Sequence, residues 1–132
     1  MKLHEYQAKD LLRDAGLPVP QGITASTVAE AVSAAEALGY PVAIKAQVHS
    51  GGRGKAGGIR LARSRSEAEE VTGAILGMTL RTAQSGGQGH LVSRVLVEQG
   101  QNIAREFYLS VLPDRATAQI MVIASTAGGM DI

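Results

Sequence analysis

Residues 41–62 read PVAIKAQVHSGGRGKAGGIRLA, in which Lys45, Arg53 and Lys55 stand in or beside a run holding Gly51, Gly52, Gly54, Gly57 and Gly58. Glycine permits backbone conformations that aim several N–H groups at one anion, and it lets the chain come close to that anion. With three cations added, a polyphosphate is the ligand such a stretch suits. The flanks, one ending in Lys45 and the other running Ile59–Ala62, are short, β-branched and bounded by glycine. They read as strands with a glycine-rich flap between them.

Known phosphate motifs narrow the chemistry. Gly52-Arg53-Gly54-Lys55-Ala56-Gly57 satisfies G-x-G-x-x-G, but a dinucleotide fold needs a helix directly after it, and Ile59-Arg60-Leu61 reads as strand. A Walker A loop fails, because Ala56 follows Gly54-Lys55 where Ser or Thr would hold magnesium. Protein kinases also cover ATP phosphates with a glycine flap between strands, yet their phosphate lysine follows the flap, and Lys45 precedes it. That order points to another class of ATP enzyme.

The elements that must position this stretch follow from apolar spacing. Residues 4–15 put Ala8, Leu11, Leu12 and Ala15 on one helical face, with Gly16 and Pro18 as the stop. Gly22–Ala25 reads as a short strand. Thr27 and Glu30 form a capping box for a second helix with Val28, Ala31, Val32 and Ala35 inward and Gly39 at its end. After the flap, Ser66 and Glu69 are expected to cap a third helix, with Ala68, Val71, Thr72 and Ile75 inward and Gly77 as its stop. Residues 84–89 read as a turn or loop. Strands are expected over 91–98, 106–112 and 119–124, with Pro113-Asp114 as a hairpin turn. The pattern is α+β (mixed α/β), not doubly wound.

Composition excludes several classes. A 132-residue chain with 45% hydrophobic residues but one Phe, three Tyr and no Trp implies one domain with a core of Val, Ile, Leu and Ala. The formal charge of +1 gives no global pull towards nucleic acid or membrane. The absence of cysteine excludes disulfides and thiolate metal sites. No apolar run spans a bilayer, and Glu5 and Asp10 interrupt the start where a signal peptide would be apolar, so the expected location is cytoplasmic. His4, His49 and His90 lack ligand-like spacing, so no metal site is expected on them. His49, beside the flap, reads equally as a phosphate helper or a polar residue at a strand exit.

The words LHEYQAKDLL, AQVHSGGRGKAGG, VLVEQ…AREFYL and IASTAGGMDI resemble the amino-terminal part of the β subunit in the succinate–CoA ligase (succinyl-CoA synthetase) family, over essentially the whole chain. The resemblance implies an ATP-grasp fold, in which two α+β lobes grip a nucleotide. It also implies a citric acid cycle ligase that turns succinate, CoA and ATP into succinyl-CoA, ADP and phosphate, through a phosphohistidine on a partner α subunit in a heterodimer or heterotetramer. None of the three histidines here would be that residue. The magnesium ligands and the CoA-ligase domain would lie outside residues 1–132, so the chain is expected to be a partial ATP-grasp domain, inactive alone.

Carried over residue by residue, the resemblance makes Lys45 the strand-end phosphate lysine, a point charge on a flexible stem. Gly52, Arg53 and Gly54 become the flap's contact triplet, acting mainly through backbone N–H groups. Glu98 falls where the adenine amine would be met by a carboxylate or a neighbouring carbonyl, and Gln101 falls at the next contact, through its backbone. Glu106 matches a carboxylate that accepts from two ribose hydroxyls. Pro20, near the base-discriminating region, offers guanine no donor, which favours ATP over GTP. Taken singly, Lys45, Glu98 and Glu106 read as surface or strand-end residues; the flap and the family pattern turn that reading.

Two alternatives stay open. Malate–CoA ligase and ATP-citrate lyase share much of this pattern, the acid being chosen elsewhere. A module binding nucleic acid through the basic stretch 45–65 is the other, but no Phe, Tyr or Trp lies between Tyr40 and Phe107 to stack on bases.

Overall fold

The computed structural model describes residues 2–85 and 87–128, in two compact units, Met1–Gln101 and Asn102–Ile132. The tail of the IASTAGGMDI word, residues 129–132, lies outside the described residues. In the first unit, helix α1 (Glu5–Asp14), strand β1 (Gly22–Ala25), helix α2 (Val28–Leu38) and strand β2 (Val42–Ala46) precede the flap. After it come β3 (Ile59–Ala62), α3 (Arg65–Ile75), β4 (Thr79–Leu80), a 3-10 turn (Ala83–Ser85), β5 (His90–Leu91) and β6 (Val95–Gln99). Four strands form one antiparallel sheet in the order β1-β6-β2-β3, and β4 and β5 form a separate ladder.

Alternation along the strands decides which sheet face does what. Val42, Ile44 and Ala46 of β2 pair in register with Gln99, Val97 and Val95 of β6. The Ile44–Val97 and Ala46–Val95 pairs are buried in the core that α2 and α3 cover with Ala31, Val32, Ala35, Ala68, Val71 and Ile75. This core is aliphatic, as the aromatic-poor composition requires. The other face of the same strands carries Ala43, Lys45, Leu96 and Glu98, so one sheet serves packing on one side and chemistry on the other.

Two helices are capped by the same device. Thr27 Oγ1 accepts from the Glu30 amide at 3.2 Å, and the Glu30 carboxylate accepts from the Ser26 amide at 2.7 Å. For α3 the cap is Ser64, not Ser66: Ser64 Oγ accepts from the Glu67 amide at 3.2 Å and Glu67 Oε2 accepts from the Arg63 amide at 2.8 Å. The repeated Ser-x-Ser spacing offers two frames for a capping box. The frame that starts the helix two residues earlier still buries Ala68, Val71, Thr72 and Ile75.

The expected strand over 91–98 is broken. His90 and Leu91 pair with Leu80 and Thr79, and Val92 exchanges backbone bonds with Gly77 and Met78. Only from Val95 does the chain enter the main sheet. In the second unit β7 (Tyr108–Asp114) pairs with β8 (Gln119–Ser125), and Pro113 and Asp114 lie inside that ladder instead of at its turn. The turn falls at residues 115–118, where Asp114 accepts from the Ala116 amide at 2.9 Å and the Thr117 hydroxyl at 2.7 Å, an Asx-type closure. Proline is tolerated in the ladder because each strand of a two-stranded hairpin is an edge.

Ile44 is fully buried, whereas Leu61 on β3 is about half exposed. Ile44→Ala is expected to cost about 3 kcal/mol in urea unfolding and Leu61→Ala less than about 1 kcal/mol; equal losses would contradict this assignment of the faces.

Candidate nucleotide site

Lys45 and Glu98 occupy the next-to-last positions of β2 and β6, on the face away from α2 and α3. Lys45 Nζ lies 2.5 Å from Glu98 Oε1 and 3.1 Å from Glu5 Oε1. Glu5 and Lys9, one turn apart on α1, complete the set: Lys9 Nζ is 3.2 Å from Glu5 Oε1 and is hydrogen-bonded to Glu98 Oε2. From the flap, Arg53 Nη2 reaches Glu5 Oε2 at 2.7 Å while its Nη1 donates to the Ala46 carbonyl at 2.6 Å. Three cations and two carboxylates thus alternate in a cluster whose side chains are all less than one-fifth exposed. The cluster keeps a surplus of one positive charge.

The electrostatics follow from this alternation. Burial alone would raise the Glu5 pKa, but the charges of Lys45 and Arg53, then the Arg53 hydrogen bond and Lys9, hold it down at about 2. Burial likewise acts to lower Lys45, yet its hydrogen bond to Glu98 and the charges of Glu5 and Glu98 outweigh this and raise it. Both groups are charged at neutral pH.

Neither Glu5 nor Lys9 stood out as a site residue from sequence, although both lie in the HEYQAK word and their i, i+4 spacing was a signal. The expected apolar stripe of α1 does not dock it: Leu11 and Leu12 are exposed. Charged residues of its first turns face the sheet instead. Gln47 fixes that turn. It is buried, its Oε1 accepts from the Tyr6 amide at 3.3 Å, and its Nε2 donates to the Lys45 and Ala46 carbonyls at 3.1 and 3.3 Å. A first-turn N–H that the helix cannot satisfy is thereby paired.

The flap is a tight turn. Ala56, Gly57 and Gly58 amides donate back to the Gly52, Gly54 and Arg53 carbonyls at 3.3, 3.1 and 2.8 Å. The amides of Gly52, Arg53 and Gly54 have no hydrogen-bond acceptor among the described residues. Gly52 has φ +71°, a left-handed conformation that strains any side chain, and a Cβ on Gly58 would come within 3.0 Å of Leu80.

Gln101 is exposed and lines a cavity of about 310 Å³ with Pro18, Val19, Pro20, Gln21 and Gln99, so the two positions tied to base choice share one recess. Glu106 belongs to the second unit, where it is exposed ahead of β7 and outside the strand expected to start with it. The basic stretch 45–65 is not one charged surface: Lys45 and Arg53 are half-buried in the cluster, and Arg65 pairs with Glu36 and Glu69. Among the described residues no group of three His, Asp or Glu is placed to hold a metal, and no helix is long and apolar enough to cross a membrane.

Because the Glu5 pKa falls from 4.5 to about 2 on folding, its contribution is fully present above pH 4.5 and is lost as pH falls towards 2. Glu5→Gln is expected to lower stability by about 3 kcal/mol at pH 7 and to flatten the decline below pH 4.5. Urea unfolding from pH 7 to pH 3 reads both effects; an unchanged acid slope would show that Glu5 is not coupled to the cluster.

The ATP-grasp domain family matches residues 2–132. The chain is 60% identical over its whole length to the β subunit of an ADP-forming succinate–CoA ligase from Desulforapulum autotrophicum, and 54% identical to the same subunit from Verminephrobacter eiseniae. It spans about a third of the length of each, 34%. Among solved structures it is similar to a dinucleotide-forming acetyl-coenzyme A synthetase of Ca. Korarchaeum cryptofilum, with TM-score 0.75 and 21% identity over 94% of this chain and 53% of that one. That last likeness concerns the fold. A strand-end lysine, a glycine flap and their carboxylate partners thus sit in a chain that belongs to the ATP-grasp family.

Proposed function

We propose that the chain is the nucleotide-holding, amino-terminal portion of the β subunit of an ADP-forming succinate–CoA ligase. The whole subunit, with a CoA-ligase domain beyond residue 132, would act in the cytoplasm with an α subunit that carries the phosphohistidine, as a heterodimer or heterotetramer. The observation that carries this reading is the convergence of Lys45 and Arg53 on Glu5 beside the end of β2, next to a flap whose Gly52–Gly54 amides have no acceptor among the described residues. The likeness to named ligase subunits supports the choice of succinate over malate or citrate.

ATP, when bound, supplies the phosphoryl group. Lys45 and Arg53 then exchange carboxylate oxygens of Glu5 and Glu98 for phosphate oxygens, a substitution of one charge-assisted pair for another. With Glu98 still held by Lys9, a neighbouring carbonyl receives the adenine amine, with Gln101 and Pro20 beside it. Pro20 gives a guanine carbonyl no donor. Magnesium does not fit the cluster, whose two carboxylates are both spent on cations, so its ligands belong elsewhere in the subunit.

Calorimetric titration of the chain with ATP, ADP and GTP tests the reading. Saturable adenine-nucleotide binding is expected, weaker for GTP and weakened tenfold or more, about 1.4 kcal/mol, by Lys45→Ala. No binding by a chain with native circular dichroism would overturn the assignment of these residues, and a preference for GTP would overturn the base choice.

A further inference from the structure

The three histidines, scattered at positions 4, 49 and 90, line one cleft of about 500 Å³ together with Tyr6, Gln47, Val48, Gly89, Leu91, Ser93 and Arg94. The His4 and His49 rings stack, with centroids 3.9 Å apart and planes 13° from parallel, and the Tyr6 ring lies 5.9 Å from that of His4, its plane 12° from parallel. Arg94 lies over the Tyr6 ring and donates to its hydroxyl at 3.0 Å, which leaves the Tyr6 proton and the remaining guanidinium N–H groups available. His4 Nδ1 is enclosed and without a hydrogen-bond partner. No Asp or Glu lines the cleft.

Two imidazoles in face-to-face contact repel once both are protonated, unless an anion lies against them. The groups that face the stack are Tyr6 from α1, Arg53 from the flap, His90 from β5 and Arg94 from the turn before β6; none carries negative charge at neutral pH. Burial, followed by His49, Arg94 and Arg53, holds the His4 pKa below its ordinary value. The nearest carboxylate in sequence, Glu5, is already bound to Lys45, Lys9 and Arg53. The cleft therefore holds donors and latent positive charge with no carboxylate of its own.

We propose that this cleft is an oxyanion site separate from the Lys45–Arg53 cluster, and that it takes a phosphate group, either the free ion or a phosphate monoester. A phosphate offers three or four oxygens, enough for imidazole, guanidinium, Tyr6 and Ser93 donors placed around one space. Its second ionisation, with pKa about 6 in a monoester and higher in the free ion, lies near the range where histidine titrates, so binding and protonation are linked. Occupancy would fix the stacked pair in its charged form. The site goes beyond the nucleotide reading and does not depend on it.

Side-chain NMR of the full chain, titrated with inorganic phosphate at constant ionic strength, tests the proposal. The His4 and His49 ring signals are expected to move saturably, with His4 titrating higher when phosphate is bound than when it is absent, and affinity at pH 8 about tenfold below that at pH 6. His49→Phe keeps a stacked ring without a donor, and Arg94→Gln removes the fixed charge; each should weaken binding about tenfold or more while the core signals of Ile44 and Val97 stay in place. Lys45→Ala should leave phosphate binding intact. Phenyl phosphate, binding as well as the free ion, would assign the cleft to phosphorylated molecules; its exclusion would assign it to free phosphate, and either supports the site. Unshifted histidine signals, unaltered binding in His49→Phe, or loss of binding in Lys45→Ala would each overturn the proposal.

Discussion

Everything around the candidate site depends on one alternation of charge: Arg53, Glu5, Lys45, Glu98 and Lys9, each touching a neighbour of opposite sign. Charges this far from water are tolerated only when paired, and removing one member leaves another exposed to a low dielectric. The five residues come from α1, β2, the flap and β6. The cluster therefore joins four elements that share little apolar contact on that face, and it sets where α1 sits. A surplus of one positive charge keeps the arrangement receptive to an anion without leaving any cation unpaired in its absence.

The two faces of the sheet divide the work. Beneath it, small aliphatic side chains from β2, β6, α2 and α3 form the core, with Tyr40 packed against it as a partly buried ring. Above it, Lys45 and Glu98 stand on the same strands, so their separation is set by backbone register and not by side-chain preference. Gln47 extends that precision beyond the strand end by tying the first turn of α1 to β2. The geometry of the charged cluster thus inherits the rigidity of the core.

Much of this was legible in the sequence where a local rule had one solution. The strand–flap–strand reading of 41–62 matches β2 and β3, and the Thr27 cap marks α2. The rule failed where it had two solutions, as with the Ser64 and Ser66 frames, or where the partner was distant, as with the break at Val92 that lets β5 pair with β4. For the site, Lys45 and Arg53 meet because the flap is short. The join of Glu98 to Lys45 needs a strand pairing between residues more than fifty apart, which no periodicity reveals. Glu5 and Lys9 were hidden for another reason. A charged face on an amphipathic helix reads as solvated, and here it is the docking face.

The sheet order has a consequence for how the chain matures. Strand β6 is the last of the four in sequence, yet it lies between β1 and β2 and is hydrogen-bonded to both. During synthesis β2 can pair with β3, but β1 has no partner and β2 keeps an open edge until residues 95–99 have emerged, and only then does the sheet close. The insertion that closes it also delivers Glu98 between Lys9 and Lys45. Closure of the sheet and pairing of the charges are therefore one event, and a nascent chain shorter than this has neither a closed sheet nor a paired cluster.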